Sequence, residues 1–393
     1  MKLNEQTTDT TPLRVFETWY ETETVNGADR PIIYCKCRDM DREPWLVEVE
    51  GFAPHFHIPV SELSESTLSA LKGSARVQSV TEGETLVMPY NRRDSTDTDS
   101  DPSSFARQET VRVETNVPYD IPKLRENFDL TGEADVRYPQ RFMVDMGVYS
   151  GIAVPSIARS ERISSEAITT LDNHTVTRIR PRICYYDIEV ETSDSGPSVV
   201  SEKGSEQARN PITAIAMADN YTDETLVFVL ADDSWTQSDV PNSEDVRLYT
   251  DETAMLEQFC TELRDRRPDV LTGWNSGGFD DPYFINRCLK TDVTAVQSIS
   301  PTKNVSRMNG DGRWRNSDLR GIILFDLLDG YKNISRRELD SFSLGNVAAS
   351  EDIADKLDVD EQQAYVDNPQ QFIEYVRRDC TILKALNEKR EII

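Results

Sequence analysis

Two apolar-rich runs of strand character, LRVFETWYETE and RPIIYCKCRD, flank the turn signal NGAD and predict a strand pair early in the chain. PWLVEVEGFAPHFHIPV continues in the same style, and VSELSESTLSALKG reads as a capped helix stopped by Gly73. Residues 1–11 read as frayed, and residues 91–110 as a polar loop with nothing to pack. YDIPKLRENF and RYPQRFMVDMGVY have helical character. The pattern predicts a β-rich α+β domain over residues 1–176.

From about residue 177 the rhythm changes. TVTRIRPRICYYDIEVE reads as strand, and PITAIAMAD with TLVFVLAD as a strand pair. Met255, Leu256, Phe259 and Leu263 recur at helical spacing and lead into a short strand, DVLTGWN. DPYFINRCLK opens with Asp281 at an N-cap position and Pro282 at the first helical position. In NPQQFIEYVRRDCTILKALNEKR, Phe372, Val376, Cys380, Leu383 and Leu386 fall on one stripe. An α/β domain over residues 177–393 is expected, with no internal repeat.

The net charge of −27 rests on 70 acidic residues, yet 37% of the chain is hydrophobic, which excludes a disordered acidic tail. Eleven lysines stand against 32 arginines. Many acids and few lysines suit a protein kept soluble in concentrated salt, where repulsion is screened within a few ångströms. Cysteines 35, 37, 184, 260, 288 and 380 have no CxxC spacing, which suits neither zinc nor an easy disulfide. Reduced cysteines, a cytoplasmic location and no membrane role are expected; no run of 18 apolar residues occurs.

Against this acidity, acid-x-acid triplets should arise by chance roughly 12 times, so Asp187 and Glu189 in CYYDIEVET prove nothing alone. Their setting adds weight, because both point to one side of an apolar strand. Asp280 ends a Gly-rich turn, NSGGFDD, between strand and helix. Tyr375 and Asp379, at i and i+4, project from one helix face beside its apolar stripe. Each has an ordinary alternative: Asp280 or Asp281 as a cap, Tyr375 as a core aromatic, Asp379 paired with Arg377 or Arg378. Converging carboxylates without histidine or cysteine point to magnesium or manganese. Two such ions about 3.5–4 Å apart would activate water and stabilise a leaving oxygen in phosphodiester cleavage.

The order Asp-Ile-Glu (187–189), Asn-x3-Phe-Asp (275–280) and Tyr-x3-Asp (375–379) resembles the three exonuclease motifs of family B DNA polymerases of archaeal type. GFAPHFHIPV and YPQRFMVDMGVYSG are similar to parts of that family's N-terminal domain. The resemblance implies an RNase H-like 3′–5′ proofreading exonuclease of the DEDDy class, acting on a single-stranded 3′ end. Asp187 would bridge two ions, Glu189 and Asp379 would hold the one that activates water, Asp280 would hold the other, and Tyr375 would position the water. Asn275 and Phe279 would contact the terminal nucleotides.

The family's polymerase motifs do not occur, so palm, fingers and thumb are expected in the rest of a longer chain or in a companion chain, with primer-template DNA and a sliding clamp as partners. The alternatives are a non-catalytic DNA-binding or assembly subunit of a split polymerase and a stand-alone DEDDy nuclease. Arg313 and Arg315, in a Gly-rich polar stretch, are candidate strand contacts. Pro54 and Phe56 align with one wall of the pocket that archaeal relatives use to sense uracil in the template.

Overall fold

The computed structural model describes residues 10–89, 105–192, 202–235, 243–308, 319–335, 339–353 and 360–393. These form two compact units, Met1–Ile179 and Arg180–Ile393. Among the described residues no helix is long and apolar enough to cross a membrane, and all six cysteines are free and buried.

The first unit contains strands β1 (Thr10–Val25), β2 (Ala28–Arg38), β3 (Pro44–Glu50), β4 (His55–Pro59), β5 (Val77–Pro89), β6 (Phe105–Thr115), β7 (Gly151–Pro155), β8 (Ile163–Ser164) and β9 (Thr169–Leu171). Its helices are α1 (Glu65–Lys72), α2 (Asp120–Arg125), α3 (Tyr138–Asp145) and α4 (Asn173–Val176). One sheet runs β8-β3-β2-β1-β7-β9 and a second runs β4-β6-β5. The β1–β2 hairpin turns on Asn26 and Gly27, at φ 53° and 79°. Both values lie in the left-handed region that this two-residue turn demands and that Asn-Gly tolerates. Alternation does the rest: Ile33, Cys35 and Cys37 enter one core with Val47 and Phe142, while Ile32 and Tyr34 face Trp19 on the other side.

Two expectations fail here. Residues 105–110 are strand, not loop, because β6 takes its partners from β4 and β5, which its own polar composition cannot reveal. The segment after residue 177 is not yet strand: α4 ends at Val176 and the next strand starts at Ile183.

The second unit is built on β10 (Ile183–Val190), β11 (Ile212–Asp219), β12 (Thr225–Leu230), β13 (Val246–Tyr249), β14 (Val270–Gly273) and β15 (Ile323–Asp326). Its helices are α5 (Glu202–Gln207), α6 (Glu252–Arg266), α7 (Asp280–Lys290), α8 (Leu327–Ile334), α9 (Leu344–Ser350), α10 (Glu361–Asp367) and α11 (Pro369–Arg390). The strand order is β13-β12-β11-β10-β14-β15. β11 lies antiparallel to β10 and β12, whereas β13, β14 and β15 pair in parallel. Every residue of β11 is buried, as expected for a strand covered on both faces. Ile215 and Met217 pack with α6 and α7, while Ala214, Ala216 and Ala218 face α11. Small side chains on that face let α11 come close to the sheet.

Candidate carboxylate metal centre

β10 divides its side chains cleanly. Cys184, Tyr186, Ile188 and Val190 enter the core formed with α6 and α7. Tyr185, Asp187 and Glu189 take the opposite face. The cross-strand neighbours of Asp187 and Glu189 are Ala216 and Ala214, so β11 leaves open the space above the carboxylates. α11 fills part of it. Cys380 Sγ donates to the Tyr185 carbonyl at 3.4 Å and Asn387 Nδ2 to the Tyr185 hydroxyl at 2.7 Å. With α11 pinned there, carboxylate oxygens of Asp187, Glu189 and Asp379 lie within 4.8 Å of one another.

Asp280 reaches the same strand from the other side. β14 ends at Gly273, where a Cβ would stand 2.8 Å from the Tyr186 carbonyl oxygen, so only glycine fits without displacement. The chain then turns through Asn275 at φ 59°. Asp326 braces this turn by accepting from Asn275 N and Gly277 N, both at 3.1 Å, while capping α8 through Leu328 N at 3.0 Å. α7 starts at Asp280, whose Oδ1 accepts from Ile188 N at 3.2 Å, one peptide from both Asp187 and Glu189. Asp280 is buried, and burial together with the charges of Asp187 and Asp281 pushes its carboxyl well above the usual range.

Asp187, Glu189 and Asp379 repel one another at this distance, and Asp187 also acts on the buried Asp280. The ligand set is all oxygen, with neither histidine nor cysteine in the three-residue group, so it fits a hard divalent cation such as Mg2+ or Mn2+.

Tyr375 is buried, and its hydroxyl donates to Glu361 Oε1 at 2.9 Å. Burial and the charges of Glu189, Asp379 and Glu361 raise its pKa beyond any working range, so it is a neutral hydroxyl. Asn275 is exposed at the turn, and Phe279 is half-buried with its ring centroid 5.3 Å from that of Tyr283.

Asp281 is not a cap. α7 begins one residue earlier, with Phe279 at the N-cap position and no side-chain cap, which puts Pro282 third in the helix. The Asp281 side chain turns into the core instead, where its Oδ1 accepts from the Tyr186 hydroxyl at 2.5 Å. Burial raises its carboxyl to about 7, against the lowering effect of that hydrogen bond.

Pro54 and Phe56 are both buried, and Phe56 packs among Ile58, Val111, Val113 and Leu124. Arg313 and Arg315 lie outside the described residues. Among the other arginines, Arg182 and Arg266 bind Asp219, and Arg264 binds Asp265. The residues that motif spacing missed are Asp326 and Glu361. Asp326 carried a signal, an acid at the end of an apolar strand before a helix; Glu361 carried none.

The sequence model described as "DNA polymerase family B, exonuclease domain" matches residues 131–347, more than half of the chain. The chain belongs to this family. The matched stretch contains Asp187, Glu189, Asn275, Phe279 and Asp280, while Tyr375 and Asp379 lie beyond it. The DNA-directed DNA polymerase of Enterobacteria phage T4 is 31% identical over 153 residues, which are 37% of this chain and 17% of that protein. The DNA-directed DNA polymerase of Escherichia phage RB69 is 26% identical over 241 residues, 54% of this chain and 26% of that protein. The family B DNA polymerase from the hyperthermophilic archaeon Pyrobaculum calidifontis matches with a TM-score of 0.65 and 19% identity, covering 96% of this chain and 45% of that one. This likeness shows the fold, an RNase H-like mixed sheet flanked by helices preceded by a β-rich unit. The chain spans about a quarter or less of the length of these phage relatives.

Proposed function

We propose that residues 177–393 form a 3′–5′ DNA exonuclease, the proofreading part of a family B replicative polymerase, and that residues 1–176 form its template-contacting domain. The observation that carries this reading is the meeting of Asp187, Glu189 and Asp379 within 4.8 Å, with Asp280 against the same strand. Asp187, Glu189, Asp280 and Asp379 would hold two Mg2+ or Mn2+ ions, which when bound supply an activated water and charge stabilisation of the leaving oxygen.

The reaction is hydrolysis. Water oxygen bonds to the terminal phosphorus, the bond to the preceding 3′ oxygen breaks, and that oxygen leaves with a proton as a nucleoside 5′-monophosphate is released. Tyr375 contributes position rather than charge. Its proton goes to Glu361, so its oxygen keeps lone pairs that can accept from a water lying over the carboxylates. Asn275 and Phe279 would take the terminal nucleotides, with Phe279 against a frayed base; Arg313 and Arg315 would contact the strand.

Polymerase activity would belong to a polymerase domain in the same or a companion chain, with a sliding clamp as a further partner. The 70 acidic residues support work in the concentrated salt of a halophile's cytoplasm. The test uses 5′-labelled single-stranded DNA in molar potassium chloride with Mg2+ or Mn2+. Stepwise shortening from the 3′ end is expected, abolished by chelator and by Asp187→Ala combined with Glu189→Ala. Cleavage that survives the double substitution overturns the site, and a wild-type chain that binds DNA without shortening it favours a silent assembly subunit.

A further inference from the structure

Ten residues along α7 from Asp280, about 15 Å by helical rise, a cavity of about 410 Å3 opens between Gln207, Arg209, Asn286, Leu289, Lys290 and Arg307. This is the size of a small-ligand cleft. Three of the lining residues are cations and none is an acid, in a chain with net charge −27. Charges more than about 10 Å away are largely screened at 0.1 M salt, so the local cations set the sign here. Among the described residues, none of the three has a carboxylate within salt-bridge distance.

A purely structural account explains part of this. α5 ends at Gln207, and the next residue, Ala208, turns left-handed at φ 39°, with the last carbonyls toward α7. Arg307 donates to the Glu206 carbonyl at 2.8 Å, and Lys290 approaches the carbonyls of Gln207 and Ala208 at 3.4 Å. Cations are favoured at a helix C-terminus. That account uses one N–H of Arg307 and two long contacts of Lys290, and it leaves Arg209 out altogether. Arg209 is exposed, and no side-chain hydrogen bond holds it among the described residues. Burial and the guanidiniums of Arg287, Arg209 and Arg307 disfavour the charged form of Lys290, and Glu252, itself ion-paired with Arg287, offsets them only in part. An anion would relieve that repulsion. Of the neutral polar lining, Asn286 is satisfied, donating to the carbonyls of Ser205 and Met308, whereas Gln207 Oε1 is buried with no hydrogen-bond partner among the described residues.

We propose that this pocket binds a phosphate group, carried by a nucleic acid strand or by a free nucleotide. Two guanidiniums and an ammonium around one opening are the donor set that phosphate oxygens take most readily. α5 also links the pocket to the turn before Asp280, because Ser205 Oγ donates to the Gly278 carbonyl at 3.3 Å. The proposal rests on the pocket's charge and stands whether or not the carboxylate centre cleaves DNA.

The test is binding without catalysis. Inorganic phosphate, thymidine 5′-monophosphate and a single-stranded oligothymidylate are titrated into the whole chain by calorimetry, in chelator, at a potassium chloride concentration where circular dichroism shows it folded. Acetylation of Lys290 is followed in parallel by mass spectrometry. At least one ligand should bind and slow Lys290 acetylation, with the protecting ligand identifying the source of the phosphate. Arg209→Ala, which disturbs no described contact, should weaken that binding about tenfold, as expected for one charge-assisted contact. The Asp187→Ala, Glu189→Ala variant should retain the Lys290 protection. Failure of every ligand to slow Lys290 acetylation, or unchanged affinity in Arg209→Ala, overturns the proposal.

Discussion

Asp219 and Asp280 are both buried aspartates of the same α/β unit, and their surroundings treat them in opposite ways. Asp219, at the end of β11, accepts from Arg182 at 2.7 Å, from Arg266, and from the backbone of Tyr221 and Thr222 at 2.7 and 2.9 Å. Burial alone would raise its carboxyl, but the two guanidiniums outweigh burial and hold it below the usual range. Asp280 has Asp187 and Asp281 beside it and only the peptide N–H groups of Ile188 and its own residue against them, and its carboxyl is raised. A buried acid that the fold neutralises is structural. One that the fold crowds with more acids suits the proposed role of holding a cation from outside.

Substitutions can break this contrast. Asp280→Asn should have the largest effect, a loss of about 10³-fold in nuclease turnover, as expected when several kcal/mol of metal-borne stabilisation are removed. Metal-free thermal stability should hold or rise, because a crowded charge has gone; a large fall in melting temperature would show that Asp280 is structural after all. Asp219→Asn should do the reverse. It leaves two mostly buried guanidiniums short of their counter-charge and should cost about 3 kcal/mol in urea unfolding at neutral pH. The folded-state pKa of Asp219 is depressed, so its stabilisation is present above the unfolded value near 3.8 and fades as pH falls through the lower folded value. Wild type and Asp219→Asn should therefore converge in stability under strong acid, and a gap that stays constant down to pH 2 would refute the ion-pair account.

Glu361→Ala should have the smallest effect, about tenfold in kcat with KM unchanged. The same change in a Tyr375→Phe background should do nothing, because Glu361 would act only through that hydroxyl. Additive losses would separate the two residues.

Much of the carboxylate cluster was legible because its acids sit in apolar frameworks whose periods can be counted. Tyr375 and Asp379 flank the stripe of Phe372, Val376 and Cys380, and all of these are buried. What could not be read depends on partners from elsewhere in the chain. Asp281 beside Pro282 has the local grammar of a cap, yet its partner is Tyr186 on a strand far back in the chain. Phe56 packs against β6 and α2, contacts that its own stretch of sequence does not announce. Glu361 carries no local mark at all, since its role comes from α10 lying against α11. Residues 105–110 look like loop because a strand's ladder belongs to its neighbours.

The docking of α11 on β10 has a consequence for synthesis. A nascent chain leaves the ribosome N-terminus first, so Asp187 and Glu189 emerge long before Asp379. Until α11 settles against Tyr185, those two acids are unremarkable members of a heavily acidic surface. If the proposed function holds, cleavage of nucleic acid would therefore have to wait until α11 has docked on β10, and a chain in which only the β10 acids have emerged would be inert.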